Sequence, residues 1–383
     1  MRPPRGADNI PAMDSPLSCP AVRRIAILTG GGDCPGLNAV IRAAARDALF
    51  CGMEVLGVED GFLGLIEGRV RLLTEADLTG LINRGGTILG SNNKANPARY
   101  AAGRNPDGSI IFKDVRQQCY ENLKKHHVGA MVVIGGDGTL TIANDFHKLG
   151  IPIVGVPKTI DNDIEGTDIT FGFETAVGTA TDSLDRVRTT ADSHHRAMVV
   201  ELMGRNAGWI TLHAGVAGAA DVILLPEMPF SMEKVFEVVR RRSEKGKHAT
   251  LIAVSEGARP KGGQQMVAKV DLTSADPIRL GGVAKYLADE IEKATGVESR
   301  YVVLGHTQRG GIPVASDRVL STLLGSHAMT LLREGQTGRM VAIQNGRLTS
   351  VPLEMLAGKQ RLVNTDNPLI TAAKRVGASF CDE

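Results

Sequence analysis

Short apolar runs rich in β-branched residues alternate with longer segments of helical periodicity along most of this chain, and that alternation limits what it can fold into. Arg24–Leu28, Met131–Ile134, Ile153–Val156, Met198–Val200, Val222–Leu225, Leu251–Val254 and Tyr301–Leu304 read as buried strands. Leu37–Leu49, Thr139–Leu149, Phe173–Thr190 and Ser231–Glu244 carry helix-like spacing between them. Runs that are apolar on both faces, joined by helices, imply an α/β fold with parallel sheets covered on both sides. In such sheets ligands bind beyond the carboxyl ends of the strands. That is where the glycine-rich motifs of this sequence fall.

The segment 132–140, VVIGGDGTL, runs an apolar strand into Gly135-Gly136-Asp137-Gly138. Glycine lets the main chain approach a phosphate closely, and the helix that follows offers its positive end to the anion. Asp137 would hold a metal rather than the phosphate. An ordinary strand-to-helix turn is the alternative reading. The segment 29–38, TGGGDCPGLN, has the same form, with Gly31 and Gly32 as phosphate contacts. It fits neither the GxGxxG fingerprint nor a Walker A loop, and a tight βα turn is its bland reading.

In the segment 157–164, PKTIDNDI, Asp161 and Asp163 sit two apart after a strand, beside Lys158 and Thr159. That arrangement suits a base next to a metal-associated acid, as a phosphoryl transfer to an alcohol requires. A capped turn would use the same residues for backbone hydrogen bonds. Arg196 and Arg205 flank the Met198–Glu201 run, and Arg300, His306 and Arg309 bracket another strand with a glycine-rich exit. Guanidinium groups bind phosphate through permanent, bidentate contacts, which points to a second phosphate site; surface ion pairs are the alternative for any one of them. His194 and His195 read as packing or solvent-facing residues, since no third ligand accompanies them.

A chain of 383 residues can bury a large core, and its length suggests two or three domains. With 43% hydrophobic and 22% charged residues it reads as soluble and globular, and a net charge of +2 gives no bulk attraction for nucleic acid or membrane. The five cysteines are scattered without a CxxC pair, so neither a disulfide framework nor a zinc knuckle is expected, and a reducing cytosol fits. The first 22 residues, with prolines and charges but no continuous apolar stretch, are expected to form a disordered arm rather than a secretory signal. No run approaches the ~20 apolar residues of a membrane helix, so a cytoplasmic location is expected. Arg99–Ser109 and Lys261–Gln265 read as surface loops.

Taken together, TGGGDCPGLNAVIR, INRGGTILGS, VVIGGDGT, PKTIDNDI, MGRNAGWIT, LLPE and LGHTQRGG resemble the phosphofructokinase family in order and approximate spacing, from about Arg23 to the C-terminal region. The resemblance implies two similar three-layer α/β/α Rossmann-like domains with a cleft between them. A phosphoryl-donor domain is expected over 23–172 plus about 308–360, and a fructose-6-phosphate domain over 173–307 plus about 361–383. It implies a homotetramer, or a homodimer, of an allosteric glycolytic enzyme. By the same resemblance Asp161 is the base for the 1-hydroxyl of fructose 6-phosphate, and Asp137 the magnesium-associated residue. Asp163 and Thr159 support the reacting centre, while Gly32 and Arg205 stabilise charge on the transferring group. Met203, Gly204 and Glu256 resemble the sugar contacts. His306 and Arg309 look like 6-phosphate ligands from the same subunit, with Arg196 and Arg300 reaching across from a neighbour.

Gly31, Gly32, Asp137, Gly138, Thr139 and Lys158 are expected on the donor side. In the family, glycine at position 138 leaves room for the α-phosphate of ATP, whereas Lys158 is the residue of pyrophosphate-dependent members. Steric admission of ATP is the weightier feature. Lys94, beside Asn93, stands in for an arginine near the donor, Phe62 occupies a position where a tyrosine lies near the adenine, and Ile142 one where a glycine is usual. Arg42, Arg46, Arg188, Asp221, Lys245 and Lys247 resemble effector-pocket residues, although Glu75 replaces a further arginine. The resemblance thus implies ATP-dependent phosphoryl transfer to fructose 6-phosphate with Mg2+, with pyrophosphate dependence as the close alternative. A non-catalytic nucleotide-sensing subunit would not need Asp161. Lipid and NAD kinases share GGDGT but lack the PKTIDNDI and GHTQRGG pairing.

Overall fold

Because RIAILT is apolar on both faces, β1 (Arg24–Thr29) takes an interior position in a seven-stranded sheet. The computed structural model describes residues 22–247, 249–270, 278–356 and 358–382, so the arm expected over 1–22 lies outside the described residues apart from Val22. After β1 come α1 (Leu37–Phe50), β2 (Glu54–Val58), α2 (Phe62–Glu67), β3 (Val70–Leu72), α3 (Glu75–Leu78), β4 (Tyr100–Arg104) and β5 (Ile110–Lys113). The chain continues through α4 (Arg116–Lys125), β6 (Ala130–Gly135), α5 (Asp137–Lys148), β7 (Ile153–Pro157) and the long α6 (Phe173–His194). A second series follows: β8 (Ala197–Leu202), α7 (Trp209–Ala217), β9 (Val222–Leu224), α8 (Met232–Glu244), β10 (Thr250–Ser255), β11 (Val267–Val270), β12 (Ile278–Leu280), α9 (Val283–Thr295) and β13 (Ser299–Val303). Then α10 (Ala315–Arg333), β14 (Arg339–Gln344) and β15 (Arg347–Pro352) return to the first sheet, and α11 (Pro368–Arg375) ends the series.

The first sheet has the order β15-β14-β7-β6-β1-β2-β3, parallel except for the two outer strands, β15 and β3. The second, β13-β8-β10-β9, is entirely parallel. Strand alternation assigns the faces. Ile25 and Ile27 pack in one core with α1, α6 and α10, whereas Ala26 and Leu28 pack on the opposite side with α2, α4 and α5. In the second sheet Met198 and Val200 enter that same first core, while Ala197 and Val199 face α8 and α9. The two α/β units therefore share one apolar layer, and their carboxyl ends are held in a fixed relation.

Several element limits differ from those read in the sequence. Helix α5 starts at Asp137, two residues before Thr139, and α6 runs on to His194. Strand β13 starts at Ser299 and stops at Val303. The loop expected over 99–109 is largely a hairpin: β4 and β5 pair around a turn in which Asn105 N–H donates to the Ser109 carbonyl at 2.8 Å. The IIFK run supplies the second strand, and the Arg99 guanidinium lies 3.8 Å from the centre of the Phe112 ring. Lys261–Gln265 contains no helix or strand. Cys34, Cys51, Cys119 and Cys381 are unbridged, and no described helix is long and apolar enough to cross a membrane.

Candidate active site

Between β1 and β6 the strand order reverses: the chain leaves β1 for β2 on one side and later returns as β6 on the other. The crevice beyond the carboxyl ends at such a point is the standard ligand position of open α/β sheets. Both strands exit through glycines that lean on one side chain. A Cβ on Gly30 would lie 2.7 Å from Thr139, and one on Gly135 would lie 2.2 Å from it, so only glycine lets the two turns close around this buried threonine. Gly31 adopts φ 78°, a conformation side chains resist. Its N–H reaches the Asn92 carbonyl at 3.3 Å. The Asn92 side chain accepts the N–H groups of Lys94 and Ala95, each at 2.8 Å, and so presents Asn93 and Lys94, both exposed, at the rim.

Asp137 opens α5 without capping it, and its Oδ1 is buried with no hydrogen-bond partner. Burial raises its pKa. Beside it a Cβ on Gly138 would meet nothing within 4 Å. The crevice is open at that point. Lys158, 3% exposed, extends from the end of β7 and donates its ammonium to the Gly32 carbonyl. Burial lowers its pKa; Arg309 adds to that shift and Asp161 opposes it.

Asp161 sits in the next turn, where its N–H donates to Thr159 Oγ1 at 3.0 Å. Its Oδ1 is buried and unpartnered, and burial raises its pKa against the pull of Arg309 and Lys158. Asn162 follows in the left-handed region at φ 53° and accepts Thr170 N–H at 3.0 Å. Burial, then the neighbouring Asp161, pushes Asp163 up to about 7.

The second sheet faces this turn with its own carboxyl ends. Met203, Gly204 and Arg205 leave β8, and Glu256 leaves β10 with its N–H on the Leu202 carbonyl at 2.8 Å. Here the two exits touch: a Cβ on Gly257 would fall 1.8 Å from the Arg205 carbonyl oxygen. Burial, with Asp161 and Glu201 as like-charged neighbours, moves Glu256 up to about 7. A 3-10 turn over Gly305–Arg309 follows β13. Its Gln308 is fully buried and accepts Met203 N–H at 3.4 Å. His306 is exposed, and Arg309 donates to the Asp33 carbonyl at 3.3 Å, against the Gly32 turn.

Arg196 and Arg300, expected to reach across from a neighbour, lie away from this crevice in the same chain. Arg196 precedes β8 and Arg300 is registered against Met198, so both stand at the amino end of the second sheet. They share Glu298, at 2.8 and 2.6 Å. A six-residue strand separates them from Met203–Arg205 by about 20 Å. Phe62 is removed from the crevice: it is 2% exposed and stacked on Phe146 with ring centres 6.0 Å apart, so adenine has no face of it to meet. Gln308 was legible only as part of LGHTQRGG, and Asn92 only as the residue that follows INRGGTILGS. Gln360 and Arg361 also reach the Asp161–Asp163 turn, from a C-terminal stretch with no motif to mark it.

The sequence model of the family described as Phosphofructokinase matches residues 24–332. The chain belongs to the phosphofructokinase family. It is 50% identical over 363 residues to an ATP-dependent 6-phosphofructokinase 2 of Clostridium perfringens, covering 94% of this chain and 99% of that one. It is also 50% identical over 331 residues to a pyrophosphate–fructose 6-phosphate 1-phosphotransferase of Amycolatopsis methanolica, covering 86% and 93%. Among solved structures, Pichia pastoris phosphofructokinase in the T-state superposes with a TM-score of 0.73 at 33% identity. That match covers 88% of this chain and about a third (35%) of the longer yeast chain. The relative named for ATP matches over more of this chain (94%) than the one named for pyrophosphate (86%), which favours the ATP-dependent reading.

Proposed function

We infer that this phosphofructokinase transfers the γ-phosphoryl group of ATP to the 1-hydroxyl of fructose 6-phosphate. The observation that carries the reading is the situation of Asp161. Its unpartnered oxygen stands among Lys158 on the first sheet and Arg309 and Glu256 on the second, where a donor held by one sheet would meet an acceptor held by the other. Asp161 takes the hydroxyl proton as the O1–phosphorus bond forms and the bond to the leaving ADP oxygen breaks. Its raised pKa makes it a stronger base than an ordinary carboxylate. Gly32 offers its backbone N–H to the phosphates beside the bare backbone of Gly31, whose own N–H is held by Asn92, and the amino end of α5 adds its dipole. Thr159 fixes the turn of the base, Asp163 lies beside it, and Arg205 offsets charge on the transferring group.

For the acceptor, Met203, Gly204 and Glu256 hold the sugar. His306 and Arg309 receive the 6-phosphate; the contact of Arg309 with a neutral carbonyl is one that a phosphate would displace. Arg196 and Arg300, stranded at the amino end of the second sheet, serve the site of a neighbouring subunit in a homotetramer. The donor unit takes in 23–172 and about 308–360, and the acceptor unit 173–307 and about 361–383. A cytoplasmic, glycolytic setting fits this chemistry.

The residues fit a magnesium ion. Among the described residues no three His, Cys, Asp or Glu side chains gather as a metal cage, and Asp137 keeps an unpartnered buried oxygen. One carboxylate supplemented by substrate phosphates is how such sites hold Mg2+. When bound, the ion would offset charge on the donor phosphates.

The open space at Gly138 favours ATP, whose α-phosphate needs that volume. Lys158 favours pyrophosphate as the second reading. The test is fructose 1,6-bisphosphate formation by the purified protein with magnesium, with ATP and pyrophosphate in parallel. Product with ATP is expected; product with pyrophosphate alone would establish the second reading, and product with neither would refute both.

A further inference from the structure

The stretch after β15 crosses the mouth of the crevice as a strap. Gln360 pairs with Ile164 as an antiparallel bridge, and Arg361 N–H donates to the Asp163 carbonyl at 2.8 Å. On the side of the first sheet, Gln360 Nε2 donates to Asp163 Oδ2 at 3.2 Å and Arg361 Nη1 donates to the Asn162 carbonyl at 3.1 Å. On the side of the second, Asn206 Nδ2 donates to Gln360 Oε1 at 2.9 Å. Trp209 Nε1 donates to the Arg361 carbonyl at 2.9 Å, and the Arg361 guanidinium lies 4.2 Å from the centre of the Trp209 ring. Two residues share these tasks, each touching the Asp161 turn with one group and the Arg205–Trp209 loop with another.

We propose that Gln360 and Arg361 are positioning residues for phosphoryl transfer, which aim the Asp161–Asp163 turn and lock it to the acceptor loop that carries Arg205. Asn162, between the two aspartates, is held in the left-handed region, a conformation that persists only when its surroundings over-determine it. Thr170 fixes its side chain and Arg361 fixes its carbonyl. The direction in which Asp161 leaves the backbone is set by that turn. Gln360 meanwhile gives Asp163 a neutral donor on one side and is itself aligned by Asn206 on the other. The amide can satisfy both neighbours only in one orientation, so the link between the two sheets is directional. Neither residue touches a reacting atom; both act through Asp161, Asp163 and Arg205.

This inference rests on the proposed reaction, and the experiment separates the two. Full-length wild type, Asp161→Ser, Gln360→Ala, Asn206→Ala, the Gln360→Ala/Asn206→Ala double variant, Arg361→Met and Arg361→Lys are compared. Their kcat, fructose 6-phosphate KM, thermal midpoint and tryptophan emission are measured. Trp209 is the one tryptophan of the chain, so its emission reports the Arg361 contact directly. Misplacing a base by about 1 Å costs on the order of a hundredfold in rate. Gln360→Ala is expected to lower kcat by about that factor while fructose 6-phosphate KM stays within about twofold. Asn206→Ala should do the same, and the double variant no more than either single one, because all three cut one link. Arg361→Met should lower kcat and shift Trp209 emission, with Arg361→Lys recovering part of both.

Unchanged kcat in Gln360→Ala, additive losses in the double variant, or loss of rate that follows the thermal midpoint alone would each overturn the positioning role. In those cases an active wild type with an inactive Asp161→Ser leaves the reaction standing. An inactive wild type, or an Asp161→Ser variant of normal turnover, overturns the reaction and this inference with it.

Discussion

Replacing Gly138 by aspartate isolates the donor question, because the structure separates its effect on binding from any effect on folding. The added Cβ meets no atom within 4 Å, and Gly138 is absent from the residues with positive φ. It is the second residue of α5, where a carboxylate next to the helix amino end adds about 0.3–1 kcal/mol of stability. The thermal midpoint is therefore expected to hold or rise slightly. Against ATP the same carboxylate opposes the α-phosphate. Two unit charges about 5 Å apart repel by roughly 3 kcal/mol at an effective dielectric of ~20 and by less than about 1 kcal/mol in bulk water. Position 138 is exposed, so solvent screening brings the value to about 1–2 kcal/mol. That corresponds to a rise of about five- to thirtyfold in the KM for ATP. Pyrophosphate carries no third phosphate, and any activity with it should change by no more than about twofold. The assay is steady-state fructose 1,6-bisphosphate formation over a range of either donor, with a thermal melt of each protein. An unchanged KM for ATP at an unchanged melting point would refute the argument that this space admits the α-phosphate.

Asp161→Ser is expected to lower kcat by about 10²–10⁴ with little change in the KM for fructose 6-phosphate, and near-normal turnover would remove Asp161 as the base. Asp163 and Glu256, each raised to about 7 from 3.8 and 4.5, bind protons more tightly folded than unfolded. Their contribution to stability is therefore complete at low pH and is lost as pH rises through about 7. The melting point of the substrate-free protein should fall between about pH 5 and 8, less steeply in Glu256→Gln; a variant that melts with the wild-type pH dependence contradicts the shift. Arg300→Ala and Asp161→Ser, each nearly inactive alone, should recover activity when co-assembled, because a hybrid site can take Asp161 from one chain and Arg300 from the other. Hybrids that form without activity would place Arg300 outside a shared site.

The parts of the fold legible in the sequence are those governed by local pattern. Strands β1, β6, β7, β8 and β10 are each buried on both faces and end at turn residues, and their positions and the motifs behind them follow from that. The hairpin of β4 and β5 was hidden because GRNPDGS dominates the stretch and masks the short apolar run after it. Phe62 illustrates a different limit. Its neighbour in sequence space suggests a ligand contact, but Phe146, eighty-four residues away, claims its ring. Nothing local records that pairing. Arg196 and Arg300 carry the chemistry of phosphate ligands and were expected to reach across from a neighbour; the register of β8 with β13 puts them at the end of the sheet away from Arg205 in the same chain. Gln360 and Arg361 have ordinary surface composition and no motif, so their contacts with the Asp161 turn could come only from coordinates.

The crevice is unusual in carrying more buried carboxyl groups than it satisfies. Burial raises the pKa of Asp137, Asp161, Asp163 and Glu256 alike, and two of the four keep an oxygen with no partner. An unpaired buried polar group is costly to the folded state and is rare where nothing demands it. Lys158 and Arg309 are near enough to Asp161 to moderate its charge but leave its oxygen free. The arrangement makes sense if what satisfies the unpartnered oxygens arrives with the substrates: a hydroxyl at Asp161 and a cation at Asp137. The stability forgone in the empty crevice is then the counterpart of a base and a metal position that need little rearrangement when the substrates bind.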